Sequence, residues 1–123
     1  MTDVNDFLDL LASAARTADT LQEFTLHSHK GILLVVDITI VPGVDTVTPR
    51  LQVQAGSGGY ATIWTAAGAL VAAGTSTYLL YPGASGGNFT EVDAIALAER
   101  LRLFMDHSAA GSFTYSVRAY RIP

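Results

Sequence analysis

The sequence predicts an all-β protein, an antiparallel β-sandwich of jelly-roll-like form with six to eight strands behind a flexible or short helical N-terminal arm. Three observations predict it. Apolar residues recur at every second position over several short stretches, the period of a half-buried strand. Pro-Gly pairs and Gly-rich clusters separate these stretches. No long helical pattern alternates with them, as a parallel sheet would require. With 123 residues, the chain fits one domain that buries a core without disulfides or metals. The expected division is an arm over residues 1–9 and a single sandwich domain over 10–123.

At the N-terminus, Phe7, Leu8, Leu11, Ala14 and Ala15 share one face of a helix, while Leu10 to Ala15 reads equally as a first strand. From Ile32 to Val41 the even positions Ile32, Leu34, Val36, Ile38 and Ile40 are all apolar, and the odd positions pass from Leu33 and Val35 to Asp37 and Thr39. One face of this strand is therefore buried and the other starts covered and ends exposed, as in an inner strand. Pro42-Gly43 ends it. Val47, Leu51, Val53 and Ala55 then alternate with Thr48, Arg50, Gln52 and Gln54. Pro49 has no N–H for a ladder and predicts a sheet edge or a bulge. Gly56 to Gly59 turns the chain into Tyr60–Thr65, and a second hairpin is expected through Gly68 and Gly74 into Thr75–Tyr81. Thr90 with Asp93 predicts a turn or a single helical turn over residues 90–97. The period-two run Leu101, Leu103, Met105 follows as a strand, with His107 to Gly111 as a hairpin loop into Phe113, Tyr115, Val117 and Ala119.

Composition excludes several functions. The net charge is −4 with seven Lys plus Arg, and no basic block is present to neutralise a run of phosphates, so no nucleic-acid partner is expected. The absence of cysteine excludes thiolate nucleophiles and Cys-ligated metals. The acidic start Met1 to Asp6 lacks an export signal, and no apolar run approaches the roughly 18 residues of a membrane helix, so no membrane partner is expected either. Only 15% of residues are charged, against roughly a quarter in free soluble domains. Part of the surface is therefore expected to lie against other subunits of a homo-oligomer, the alternative being a monomer with a Thr/Ser-rich neutral surface.

No residue pattern demands catalysis. His27 and His29, two apart, would share a strand face and offer two metal ligands, but no third stands nearby. Asp106, His107 and Ser108 are the members of a hydrolytic triad placed in a row, yet adjacent strand residues point to opposite faces. Gly56-Ser-Gly-Gly59 lacks the Lys-Ser/Thr of a phosphate loop. The reading is a non-enzyme with no catalytic, cofactor-binding or metal residues. The large amphipathic rings Tyr60, Trp64, Tyr78 and Tyr81, with Phe7 and Leu8 of the arm, are the candidate oligomer or capsid interface. The same four aromatics form the alternative, a sugar-stacking platform for surface glycans.

Five segments in order, Leu10 to Thr17, His29-Lys-Gly31 leading into Val35-Val-Asp-Ile-Thr39, Val41-Pro-Gly43 with Val47, Tyr81-Pro-Gly83, and Gly111 to Val117, resemble a family of small virion proteins of tailed bacteriophages. Ala98-Glu-Arg-Leu-Arg102 departs from the aromatic-containing pattern of that family. The resemblance implies a head-associated structural protein, made in the host cytoplasm and placed on the capsid surface. There it would decorate and cement the lattice of the major capsid protein, often as a trimer. Tail and head-tail joining proteins share similar sandwiches, and a carbohydrate-binding module is the alternative outside that family.

Overall fold

The computed structural model describes residues 6–123 and contains nine strands and no helix among them. They are β1 (Phe7–Arg16), β2 (Thr20–Thr25), β3 (Gly31–Ile40), β4 (Val47–Gln54), β5 (Tyr60–Thr65), β6 (Gly74–Leu80), β7 (Glu91–Asp93), β8 (Arg100–His107) and β9 (Phe113–Ile122). Two sheets form, one of five strands in the order β1-β9-β3-β6-β7 and one of four in the order β2-β8-β4-β5. The pairings are nested: β1 lies on β9, β2 on β8, β3 on β6 and β4 on β5.

One hydrophobic core lies between the sheets. The alternation that marks β3 in the sequence is the alternation of burial: Ile32, Leu34, Val36 and Ile38 face inward, while Leu33 and Val35 are half-buried on the outer face. The strand lies between β9 and β6, which satisfy its backbone on both sides. On β9 the inward set Phe113, Tyr115, Val117 and Ala119 is fully buried. On β8 it is Leu101, Leu103 and Met105.

Several expectations change. The N-terminal segment is a strand from Phe7 onward, in register with β9 from Phe7↔Tyr120 to Arg16↔Phe113. The helical alternative is thereby excluded for residues 7–16, and residues 7–9 belong to β1 rather than to an arm; residues 1–5 lie outside the described residues. Nine strands replace the expected six to eight. The segment after Thr90 forms β7, which pairs with β6 in parallel, so the five-stranded sheet is not wholly antiparallel. The connections β5–β6 and β8–β9 cross between sheets and are not hairpins. The Gly56–Gly59 turn does close a hairpin, β4–β5, with Ala55 N–H donating to Gly59 O at 2.6 Å.

Pro49 sits on the inner strand β4, not at an edge. Its carbonyl accepts from Ala66 N–H at 3.0 Å, one residue past the end of β5. A residue in an antiparallel ladder turns its N and its C=O to the same side. The missing N–H of Pro49 therefore falls where β5 has run out, and the register irregularity of this pair comes later, between Leu51 and Gln52.

Candidate functional site

The expected site residues do not form one cluster. Trp64 and Tyr78 are 6% and 1% exposed and meet edge to face inside the core, ring centroids 5.4 Å apart. Large rings contribute most where both faces are covered, and this pair closes the core between β5 of one sheet and β6 of the other. Neither ring is presented to a subunit or a sugar, so both leave the expected interface and the expected platform. Trp64 Nε1 donates to Asp93 Oδ2 at 2.8 Å, and Ala67 N–H donates to Glu91 Oε1 at 2.8 Å, which ties β7 to the other sheet. Asp93 is held below its ordinary carboxylate value by hydrogen bonds from Glu91 and from the Trp64 indole. Burial and the neighbouring carboxylate push Glu91 up.

Tyr60 is half-buried beneath the Arg102 guanidinium, which lies 3.4 Å from the ring centroid and also donates to Gln52 Oε1. Tyr81 donates its hydroxyl to Pro123 O at 2.7 Å. Leu8 packs on the core, and Phe7, 44% exposed, lies on the outer face beside Tyr120.

The histidines are also separated in role. His27 and Ser28 take left-handed backbone, φ 48° and 67°, in the turn between β2 and β3, so His27 and His29 share no strand face. His29 Nδ1 lies 2.8 Å from Leu26 O. No group of three or more His, Cys, Asp or Glu able to hold a metal occurs among the described residues. Asp106 pairs outward with Arg50 at 2.9 Å, and Ser108 Oγ accepts from Thr46 N–H. His107 points inward, with Nε2 2.8 Å from the Tyr115 hydroxyl, and burial pushes its pKa down. The three consecutive residues make no triad.

Two surfaces emerge that the sequence reading did not single out. The first is one end of the molecule, built by the four loops over residues 17–19, 41–46, 66–73 and 108–112. Their mutual bonds bring them together: Val47 N–H to Leu70 O, Ser108 N–H to Thr46 O and Gly111 N–H to Asp45 Oδ2. The only charged residues in these loops are Asp19 and Asp45, and each carboxylate accepts a backbone N–H, from His107 and Gly111. Gly111 is required there, because a Cβ would collide with Asp45 and Pro42. Val44 is 91% exposed on the tip after Pro42-Gly43, with Ile40 at 59% and Val71 at 55% on the same end. The opposite end carries His27, His29, Lys30 and Glu99, with Asp6 paired to the buried Arg121 at 2.8 Å.

The second surface is the outer face of the five-stranded sheet. Register aligns Phe7, Tyr120, Leu33, Leu79 and Val92, one from each strand, in a row that crosses the sheet. On the outer face of the other sheet, Glu23, Arg102, Gln52 and Thr62 form one such row, and Leu21, Phe104, Arg50 and Thr65 form another. Comparison with known proteins adds no name to these surfaces: no family model, no curated protein and no solved structure matches the chain, and its function is read from its own residues.

Proposed function

We propose that the chain is a non-enzymatic virion structural protein of a tailed bacteriophage, a decoration protein that cements the capsid by docking its sparsely charged loop end onto the major capsid protein lattice. The observation that carries the reading is that end. Ile40 at the end of β3 and Val44 and Val71 in the loops are exposed there, and the two carboxylates of those loops, Asp19 and Asp45, each accept a backbone N–H. Exposed apolar residues gathered on a rigid frame mark a contact with another molecule. Strand order supports the same reading: β1 on β9, β2 on β8, β3 on β6 and β4 on β5 is a nested pairing like that of jelly rolls, an architecture used by viral capsid and lectin domains. The reading takes its virion setting from the resemblance to small phage virion proteins expected from the sequence.

Cementing needs no chemistry. A protein that binds the assembled lattice and not the free subunits stabilises the closed shell by mass action.

Cosedimentation with undecorated phage capsids tests the reading. The wild-type chain is expected to pellet with capsids at a fixed stoichiometry. The double variant Val44→Asp, Val71→Asp is expected to stay in the supernatant while its melting temperature is unchanged, because surface substitutions at exposed sites shift stability by only about 0.5 kcal/mol. Wild-type protein that ignores capsids, or a double variant that still binds, sinks it.

A further inference from the structure

The docking role leaves the outer face of the four-stranded sheet unused, and the inference drawn from it does not rest on that role. Two charges on that face stand apart from the rest. Arg100 and Glu23 are exposed, and neither side chain has a hydrogen bond or an ion pair among the described residues. Each of the other arginines bonds to a carbonyl, an amide oxygen or a carboxylate. Each other side-chain carboxylate among the described residues takes an arginine, a backbone N–H, a hydroxyl or the Trp64 indole.

The two free charges line one trough of about 290 Å³, where β4 ends and β8 begins. Strand order puts Glu23 of β2 and Arg100 of β8 on one side and Gln54 of β4 and Tyr60 of β5 on the other, with Val53 and Leu101 also lining it. Register sets Arg102 directly beside Glu23, yet Arg102 turns away. Its Nε and Nη2 both donate to Gln52 Oε1, at 2.9 and 2.7 Å, and its guanidinium lies over the Tyr60 ring. Two further hollows, of about 240 and 380 Å³, run on along β2 and β8 and also border on Glu23, so the trough is one stretch of an elongated groove.

We propose that this groove binds a neutral oligosaccharide, with one sugar ring in the trough: a ring hydroxyl donates to the Glu23 carboxylate, its neighbour accepts from the Arg100 guanidinium, and the Gln54 amide serves either way. Three properties select this ligand. First, a net anion or cation would meet one charge of its own sign, whereas adjacent hydroxyls both donate and accept, so one pair satisfies an acceptor-only carboxylate and a donor-only guanidinium together. Second, the lining is mixed. The Tyr60 ring, Val53 and Ala98 offer apolar surface to the C–H groups of a pyranose beside the polar groups that orient it, as small-ligand sites require. Third, linked hollows fit a chain of repeated units and exceed a lone amino acid, the zwitterion whose charges would also match. An extended peptide is the wrong chain for the place, because strand addition needs an open edge, and β8 and β4 are inner strands paired on both sides. Arg100 adjoins Glu99 at the end opposite the docking loops, so a chain seated by those loops keeps the groove open.

Titration of the isotope-labelled chain followed by its amide NMR signals tests the proposal, with lactose, maltotriose, cellotriose and chitotriose as probes and glycylglycine as the zwitterionic control. At least one saccharide is expected to shift the signals of Glu23, Gln54, Tyr60 and Arg100 saturably, and glycylglycine none of them. Glu23→Ala and Arg100→Ala are each expected to weaken that affinity about tenfold or more, the loss of one charge-assisted bond. Both keep the wild-type spectrum elsewhere, since neither side chain holds the fold together. Glu23→Gln, which retains an acceptor, weakens it less. No saturable shift with any of the four sugars, shifts confined to other residues, stronger binding of glycylglycine at the same signals, or undiminished affinity in the double variant Glu23→Ala, Arg100→Ala overturns the proposal. Saccharide binding by a chain that ignores capsids leaves it standing and sinks the virion role, whereas capsid binding without saccharide binding does the reverse.

Discussion

His107 shows how one side chain chosen by the sequence for its reactivity is spent on structure. Its ring stands edge-on to Phe113, 5.6 Å between centroids, with Nε2 against the Tyr115 hydroxyl. Burial disfavours the imidazolium, and Arg16 adds to that, while Asp19 and Asp106 pull the other way. The folded value therefore lies below the ordinary 6.5 that the unfolded chain keeps. Between those two values the unfolded state binds the extra proton, so stability falls as pH falls through that window and levels off once both states are protonated. Melting temperatures of the wild type are expected to drop as pH is lowered from 6.5, and His107→Gln, which keeps a polar group for Tyr115, is expected to flatten that part of the profile. Trp64 carries the same lesson from the other direction. Residue size marked it as important, and it is; but ring size says nothing of which way a strand residue faces, and the indole is committed to the core and to Asp93.

Among the elements, β1 is the one whose edge needs protection. It pairs only with β9, and its register with that strand slips between Asp9 and Leu11 and again between Leu11 and Ala14. Such slips leave carbonyls off the ladder, and the Arg16 guanidinium collects three of them, from Ala12, Ala14 and Tyr115, while lying 4.8 Å over the Tyr115 ring. An exposed edge with free carbonyls is a template for strand addition, and Arg16 takes up two of the carbonyls of β1. Arg16→Ala is expected to lower stability by about 1–2 kcal/mol, in line with the loss of charge-assisted bonds, measured by urea unfolding, and to increase aggregation on storage. Arg16→Lys should recover only part, since an ammonium lacks the planar fork that reaches several acceptors. The same strand-by-strand view explains what was legible. β3 and β9 were readable because their alternation is long and their inward sets are apolar. β2 was not, because Leu21 and Phe24 are three apart, and the structure turns Leu21 outward at 47% exposure while Phe24 faces the core. β7 was not, because its inward residues Glu91 and Asp93 are carboxylates, acceptable there only through the bonds to Ala67 and Trp64. The crossing connections were misread because a Gly-rich loop looks the same whether it returns within a sheet or bridges two.

On the scale of the whole molecule, the two ends of the sandwich differ in charge: the loops of one carry only Asp19 and Asp45, while the other gathers His27, His29, Lys30 and Glu99. Low overall charge pointed to hidden surface, but neither the loop end nor the apolar row across the five-stranded sheet could be located from the chain alone, because each is assembled from segments far apart in sequence. The loops that carry Val44 and Val71 are linked through the bridge between Val47 and Leu70, and Phe7 joins Val92 only through the register of three intervening strands. The nested pairing has a further consequence for how the molecule comes into being. β1 has no neighbour except β9, and β2 has none in its sheet except β8. The first strands to leave a ribosome must therefore wait, unpaired, until residues 100–122 have been synthesised. Contacts of such large sequence separation place the chain among slow folders, in the millisecond-to-second range. Stopped-flow refolding is expected to show a rate in that range, and ribosome-stalled chains that end before Phe113 should remain fully protease-sensitive. During synthesis β1 and β2 are expected to stay unpaired until β8 and β9 have emerged, and those early strands are the segments that most need shielding from their neighbours on the polysome.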